Sequence, residues 1–220
     1  MPIKALFFDV GNTLLFPDRE VMLYPLHQRG IFPSADLLQS TERRTKREFD
    51  SQLEKNTGMD HGFWHIFYSY LLNELEVSDE SVCAELVGRT RVSANWCDIR
   101  PRTRELLLKF KESHRMGVIS NADGKIADVL KLCGIDDVFE SITDSGLVGK
   151  EKPHPEIFAA AVHSLGVGPD ESLYVGDVYS VDYVGATRFG MQSVLFDVVG
   201  AYKDSGLARV ESLDELQSLL

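Results

Sequence analysis

From Pro101 onward, short apolar runs alternate with helix-length segments, and this alternation constrains the fold more than any other feature of the chain. Met116 to Ile119, Phe139 to Thr143, Ser172 to Val175 and Ser193 to Phe196 read as strands. Around them, Pro101 to Lys111, Gly124 to Leu132, Glu156 to Leu165, Val181 to Phe189 and Ser212 to Leu220 read as helices. Pro101 and Pro155 suit a helix opening, Asp123 a cap and Gly134 a stop. Strands interleaved with helices of this length build βαβ units, which predicts an α/β fold around a doubly wound parallel sheet. The N-terminus supplies one more strand. Ala5 to Phe8 is apolar at every position, as a strand covered on both faces must be.

The chain between these parts has another character. Residues 17–98 show no strand alternation and few glycines. Gln39 to Lys55 is charged and helical in composition. Phe63, Ile66, Phe67, Tyr70, Leu71 and Leu75 recur at helical spacing, and Asp79 to Val92 reads as a further helix with Ser78 as its N-cap. The expected organisation is therefore a core of residues 1–16 and 99–220, interrupted by an all-helical domain of residues 17–98. His61 and His65 stand four apart, a metal-ligand spacing, but their aromatic surroundings favour packing. Trp64, Tyr68, Tyr70 and Trp96 read as core aromatics, one of which could line a pocket.

Composition excludes several function classes. Lys and Arg number 23 against 34 Asp and Glu, a net charge of −11, so no basic face is expected for nucleic acid. A small anion held by a few local cations and a metal is compatible with that balance. No apolar run approaches the about 20 residues of a membrane span, and no secretory signal is legible. Cys83, Cys97 and Cys133 are an odd number without a Cys-x-x-Cys pair, which suits a reducing, cytoplasmic setting. The sequence carries no signal for oligomeric state.

Three apolar runs end in a polar residue: Asp9, Ser120 and Asp177. Open α/β sheets bind ligands outside the carboxyl ends of their strands. Between the last two lies the loop Gly149-Lys150-Glu151-Lys152-Pro153. The order is Asp-x-x-x-Thr (Asp9, Thr13), a strand ending in Ser120, Lys152-Pro153, and Gly-Asp-x-x-x-x-Asp (Gly176, Asp177, Asp182).

In these motifs the whole chain resembles the haloacid dehalogenase superfamily, in its phosphatase-like branch with a helical cap inserted after the first motif. The resemblance implies a hydrolase that acts on a small phosphorylated molecule through an aspartyl-phosphate on Asp9. It implies Mg²⁺ held by Asp9, the Gly11 carbonyl, Asp177 and Asp182. It further implies that Ser120 and the backbone N–H of Asn121 hold phosphoryl oxygens, while Lys152 bridges phosphate and Asp9. Lys150 is read as solvated. The chemistry is sound, because a carboxylate can attack a phosphoryl group once cations and fixed donors offset the charge.

One position departs from the pattern. Family phosphatases usually carry an Asp two residues after the nucleophile, which protonates the leaving oxygen and later activates water; here that position is Gly11. The substrate could have a leaving group that needs little protonation, such as an acyl phosphate. Another acid could come from the helical segment, with Asp18, His27 and Asp60 as candidates. Or phosphatase activity could be weak or absent, leaving a protein that binds a phosphometabolite or a partner. A 2-haloacid dehalogenase, which also lacks that Asp, is a further alternative, as is a phosphonate-cleaving enzyme with Lys46 or Lys55 as Schiff base.

Overall fold

The computed structural model describes residues 2–55 and 62–220, with side chains for all of these except 53–55. The strands among them are β1 (Ala5–Phe8), β2 (Leu15–Phe16), β3 (Asp98–Ile99), β4 (Arg115–Ser120), β5 (Ser141–Asp144), β6 (Ser172–Gly176), β7 (Gln192–Phe196) and β8 (Arg209–Val210). Six of these form one sheet in the order β5-β4-β1-β6-β7-β8, and every pairing in it is parallel. The α/β, doubly wound expectation therefore holds.

β1 explains the architecture. It pairs with β4 on one side and β6 on the other, Phe8 standing opposite Val118 and Val175. Its side chains alternate between faces, as a strand requires. Leu6 and Phe8 enter a cluster with Leu106, Phe110, Ile126, Leu130 and Leu216. Ala5 and Phe7 enter a second cluster with Ile157, Phe158, Leu165 and Ala186. Helices thus cover both faces: Thr103–Lys111, Ile126–Leu132 and Leu213–Gln217 on one, Pro155–Leu165 and Val184–Phe189 on the other. Phe7 and Phe8 are both fully buried, each worth roughly 1.5–3 kcal/mol over an exposed ring.

Between β2 and β3 the described residues are helical: Arg19–Met22, Tyr24–His27, Ala35–Lys55, Phe63–Glu74 and Glu80–Thr90. These helices have an apolar cluster of their own, built on Leu26, Leu38, Phe67, Leu71, Val82 and Leu86. The chain leaves and re-enters the α/β part through β2 and β3, which pair antiparallel, Phe16 opposite Asp98. No helix among the described residues is long and apolar enough to cross a membrane.

Several element ends differ from the sequence reading. The helix expected from Pro101 starts at Thr103, because Arg102 adopts φ +66° and breaks the approach. That expected from Gly124 starts at Ile126; Asp144, at the end of β5, accepts the Gly124 and Ile126 N–H groups, while Asp123 accepts the Lys125 N–H at 3.3 Å. Asp79, not Ser78, caps Glu80–Thr90, accepting from the Ser81 N–H at 2.9 Å. Val181 to Phe189 is not one regular helix, since Tyr179–Tyr183 is a π-turn ahead of Val184–Phe189. β8 and the β2–β3 ribbon are too short to carry a periodic signal. His65 is exposed on its helix, and His61 lies outside the described residues.

Candidate active site

β4, β1 and β6 are neighbours at the centre of the sheet, so the residues at their carboxyl ends are neighbours as well. Asp9 leaves β1 with its N–H donating to the Val175 carbonyl at 2.8 Å. Ser120 closes β4, and Asp177 follows directly on β6. Lys152 arrives from the loop beyond β5. Its ammonium donates to Asp9 Oδ1 at 2.7 Å, Asp182 Oδ1 at 2.8 Å and the Tyr174 hydroxyl at 2.7 Å. The Tyr174 hydroxyl in turn donates to Asp182 Oδ1 at 2.9 Å.

Two local devices hold this arrangement. The Asn121 side chain clamps the Lys152 backbone, its Oδ1 accepting from the Lys152 N–H at 2.7 Å and its Nδ2 donating to the Lys152 carbonyl at 3.1 Å. Asn121 therefore positions the lysine, a task beyond the backbone N–H expected of it. The π-turn brings Asp182 back over β6, where its Oδ2 accepts from the Val178 N–H at 3.0 Å. That return needs Gly176, because a Cβ there would stand 2.5 Å from Asp182 Cγ.

Asp9, Asp177 and Asp182 are all buried and present carboxylate oxygens within 4.8 Å of one another. A second ammonium also reaches this cluster. Lys46, from the Ala35–Lys55 helix, is 1% exposed; its Nζ donates to the Asp177 carbonyl at 3.0 Å and stands 2.9 Å from Asp177 Oδ2. Asp177 Oδ2 is buried and, despite that ion pair, lacks hydrogen-bond geometry to any described group. Three carboxylates thus face two ammonium groups, one negative charge in surplus. The same surplus shows in the acidities. Burial lifts Asp9 from 3.8 to about 6, with Lys152 opposing and Asp182 adding to the rise. Burial lifts Asp177 to about 7, with Lys46 opposing and Asp9 adding. For Lys152 and Lys46 burial works against the charge, but the surrounding carboxylates outweigh it and both stay protonated, with raised pKa. Hard oxygen donors carrying excess charge at this spacing fit a small divalent cation.

The cluster floors a cavity of about 370 Å³. Asp9, Gly11, Ser120, Asn121, Lys152, Asp177 and Asp182 line it from the sheet side, and Phe63, Trp64, Thr90, Arg91 and Trp96 line it from the helical side. Every site residue singled out by the sequence is therefore brought to one place. Lys150 is exposed, as expected. Three residues were not singled out as site residues: Tyr174, Trp96, and Lys46 in its actual setting, buried where the sequence suggested one charged-helix lysine among others. Of the alternative acids, Asp18 caps the Arg19–Met22 helix and His27 stacks on Phe32; neither lines this cavity. Asp60 lies outside the described residues, and the Lys55 side chain is not described.

A protein-family model described as haloacid dehalogenase-like hydrolase matches residues 3–190. The chain is 36% identical over 207 residues to haloacid dehalogenase-like hydrolase domain-containing protein 3 of Bos taurus, covering 89% of this chain and 82% of that one. It is 27% identical over 231 residues to the glyceraldehyde 3-phosphate phosphatase of Pyrococcus furiosus, covering 99% and 92%. In three dimensions it superposes on a magnesium-bound crystal structure of YfnB from Bacillus subtilis with a TM-score of 0.71 at 17% identity, covering 100% of this chain and 99% of that one, which speaks for the fold.

Proposed function

The chain belongs to the haloacid dehalogenase-like hydrolases, and from that premise we propose that it removes the phosphoryl group of a small phosphorylated metabolite, with Asp9 as nucleophile and residues 17–98 as a cap over the site. The observation that carries this reading is Lys152, whose one ammonium joins Asp9 to Asp182 beside Asp177 in a buried cavity. Relatives named glyceraldehyde 3-phosphate phosphatase add support.

The Asp9 carboxylate attacks phosphorus, and the bond from phosphorus to the leaving oxygen breaks with its electron pair going to that oxygen. Water then attacks the phosphorus of the aspartyl-phosphate, Asp9 departs as a carboxylate, and inorganic phosphate carries away the water's proton. Lys152 orients Asp9 and offsets negative charge as it accumulates. Ser120 and the Asn121 N–H, at the carboxyl end of β4, hold phosphoryl oxygens. Asp9, Asp177, Asp182 and the Gly11 carbonyl would hold Mg²⁺, which when bound supplies further charge neutralisation at the phosphoryl oxygens. The aromatic wall of Phe63, Trp64 and Trp96 screens the reacting groups from bulk solvent, leaving the attacking water to enter through the cavity.

Lys46 does not suit a Schiff base. That chemistry needs a neutral amine, and its neighbours Asp177 and Glu42 keep it protonated. Attack on carbon remains the second reading, favoured by the absence of a proton donor at Gly11. A screen of phosphorylated metabolites, including glyceraldehyde 3-phosphate, and of 2-haloacids, each with and without Mg²⁺, separates the two. The expected result is Mg²⁺-dependent phosphate release that Asp9→Asn abolishes. Halide release indifferent to a chelator would transfer the assignment to carbon, and undiminished phosphate release by Asp9→Asn would remove Asp9 from its role.

A further inference from the structure

We infer that Trp96 closes the space beside the nucleophile that a proton donor would need, and that the site therefore selects phosphoryl donors whose leaving group departs as a stable anion, acyl phosphates above all. This rests on the phosphoryl-transfer reading above and narrows its substrate class.

The observation is steric. A Cβ placed on Gly11 would lie 3.3 Å from Trp96 Cζ3 and 3.6 Å from both Cε3 and Cη2. Carbon atoms in comfortable contact stand about 3.5–4.0 Å apart, so the first atom of a side chain at Gly11 already presses on the Trp96 ring. The indole is not free to yield. Its Nε1 donates to the Thr90 carbonyl at 2.8 Å, the Trp64 ring meets it at a 5.5 Å centroid separation, and its backbone N–H donates to Ser93 at 3.0 Å. The Trp96 ring thus abuts Gly11 at the wall of the cavity that Asp9 floors.

Three of the proton carriers at or beneath the cavity are already in hydrogen bonds, and Glu151 also lines it. Lys152 donates to three acceptors, the Tyr174 hydroxyl donates to Asp182, and Asp123 accepts from Ser93 Oγ at 2.6 Å. An alkoxide leaving from phosphorus needs a proton as the bond breaks, and its supply by a general acid contributes roughly 10²–10⁴-fold. A carboxylate leaving from an acyl phosphate takes the electron pair of the broken P–O bond and needs none. The aspartyl-phosphate is itself an acyl phosphate, so Asp9 also departs unaided. What the second step lacks is a base for the attacking water, so the phosphoenzyme accumulates.

The test is the dependence of kcat/KM on leaving-group basicity, measured for wild-type enzyme with Mg²⁺ on acetyl phosphate, a series of substituted phenyl phosphates and glycerol phosphate. The expected result is a steep fall with rising leaving-group pKa, the alkyl ester lagging by roughly 10²-fold or more beyond the loss seen when a general acid assists, with a burst of leaving group equal to the enzyme present. Gly11→Asp alone gains no alkyl-ester activity, whereas Gly11→Asp combined with Trp96→Ala flattens the slope. Trp96→Ala alone, checked for native secondary structure, is the control for folding. A flat slope in the wild type overturns the inference while leaving the phosphatase reading intact; if Glu151→Gln or Asp123→Asn steepens that slope, the acid is found. Gain of alkyl-ester activity by Gly11→Asp alone also overturns it. Failure to transfer phosphate from any donor, with no burst, sinks the phosphoryl-transfer reading itself and the inference with it.

Discussion

Two buried lysines meet the same acidic cluster from opposite sides, and they are held differently. Lys152 comes from the α/β part and donates to Asp9, to Asp182 and to Tyr174 at 2.7–2.8 Å. Lys46 comes from the helical segment and serves one cluster carboxylate, Asp177, with Glu42 more distant at 3.5 Å. Its helix is fastened to the α/β part by neighbours on the same face. Arg43 donates to the Val199 carbonyl at 2.8 Å, and Asp50 accepts from Ser180 Oγ at 2.6 Å and the Tyr202 hydroxyl at 2.5 Å. In the proposed reaction Lys152 is thus the fixed counter-charge. Lys46 supplies charge at a carboxylate that a divalent cation would also claim, and is in that sense exchangeable.

Removal of each lysine tests the contrast. Lys152→Met strands Asp9 and Asp182 without their cation, and a broken buried pair costs roughly 3–5 kcal/mol. Urea unfolding should show that loss and phosphate release should vanish; a loss below about 1 kcal/mol would mean that the pairs contribute little. Lys46→Met should cost about 3 kcal/mol, the lower end of the same range, when measured in chelator. It should then recover on adding Mg²⁺, with a larger thermal shift and tighter Mg²⁺ binding than wild type. Unchanged metal affinity in Lys46→Met would show that the two cations do not compete at Asp177.

A smaller effect follows from acidity. Asp9 and Asp177 are raised by burial from 3.8 to about 6 and about 7. For these two groups the metal-free fold favours the protonated form, so their contribution to stability is present below about pH 4 and is lost as pH rises through about 7. Mg²⁺ held by Asp9 and Asp177, as proposed, requires both to ionise. Its affinity should therefore fall roughly tenfold or more between about pH 7.5 and 5.5, with protons released on binding. Calorimetry in buffers of different ionisation enthalpy reads both quantities, and a pH-independent affinity would contradict the assignment. Smallest of all, Tyr174→Phe removes one hydroxyl bridging Lys152 to Asp182 and should cost about 1 kcal/mol, with turnover reduced but retained.

The contrast also separates what the sequence disclosed from what it hid. Asp9, Ser120 and Asp177 were legible because each ends an apolar run in a sheet whose strand order makes them neighbours. Asp182 was legible through Gly176, whose missing side chain admits it. Lys46 was hidden because the buried residues of its helix are mostly polar, Thr41, Thr45, Lys46 and Asp50 beside Leu38 and Phe49. Hydrophobic periodicity does not mark such a face, and the lysine's partner lies 131 residues away. Tyr174 was masked by the apolar strand that contains it. Trp96 read as a core aromatic, since its approach to Gly11 joins residues 85 apart in sequence, which no local pattern encodes. The π-turn was missed for a related reason: the sequence reads as helix from Val181, whereas Tyr179–Tyr183 is a π-turn whose Asp182 accepts from the Val178 N–H.

The most direct test of the account is to find where the phosphoryl group goes. Wild-type protein mixed with acetyl phosphate and Mg²⁺, quenched in acid and digested, should yield the peptide containing Asp9 heavier by one phosphoryl group, and Asp9→Asn should yield none. Turnover of a phosphoryl donor with no label at Asp9, or label on a different residue, would contradict it.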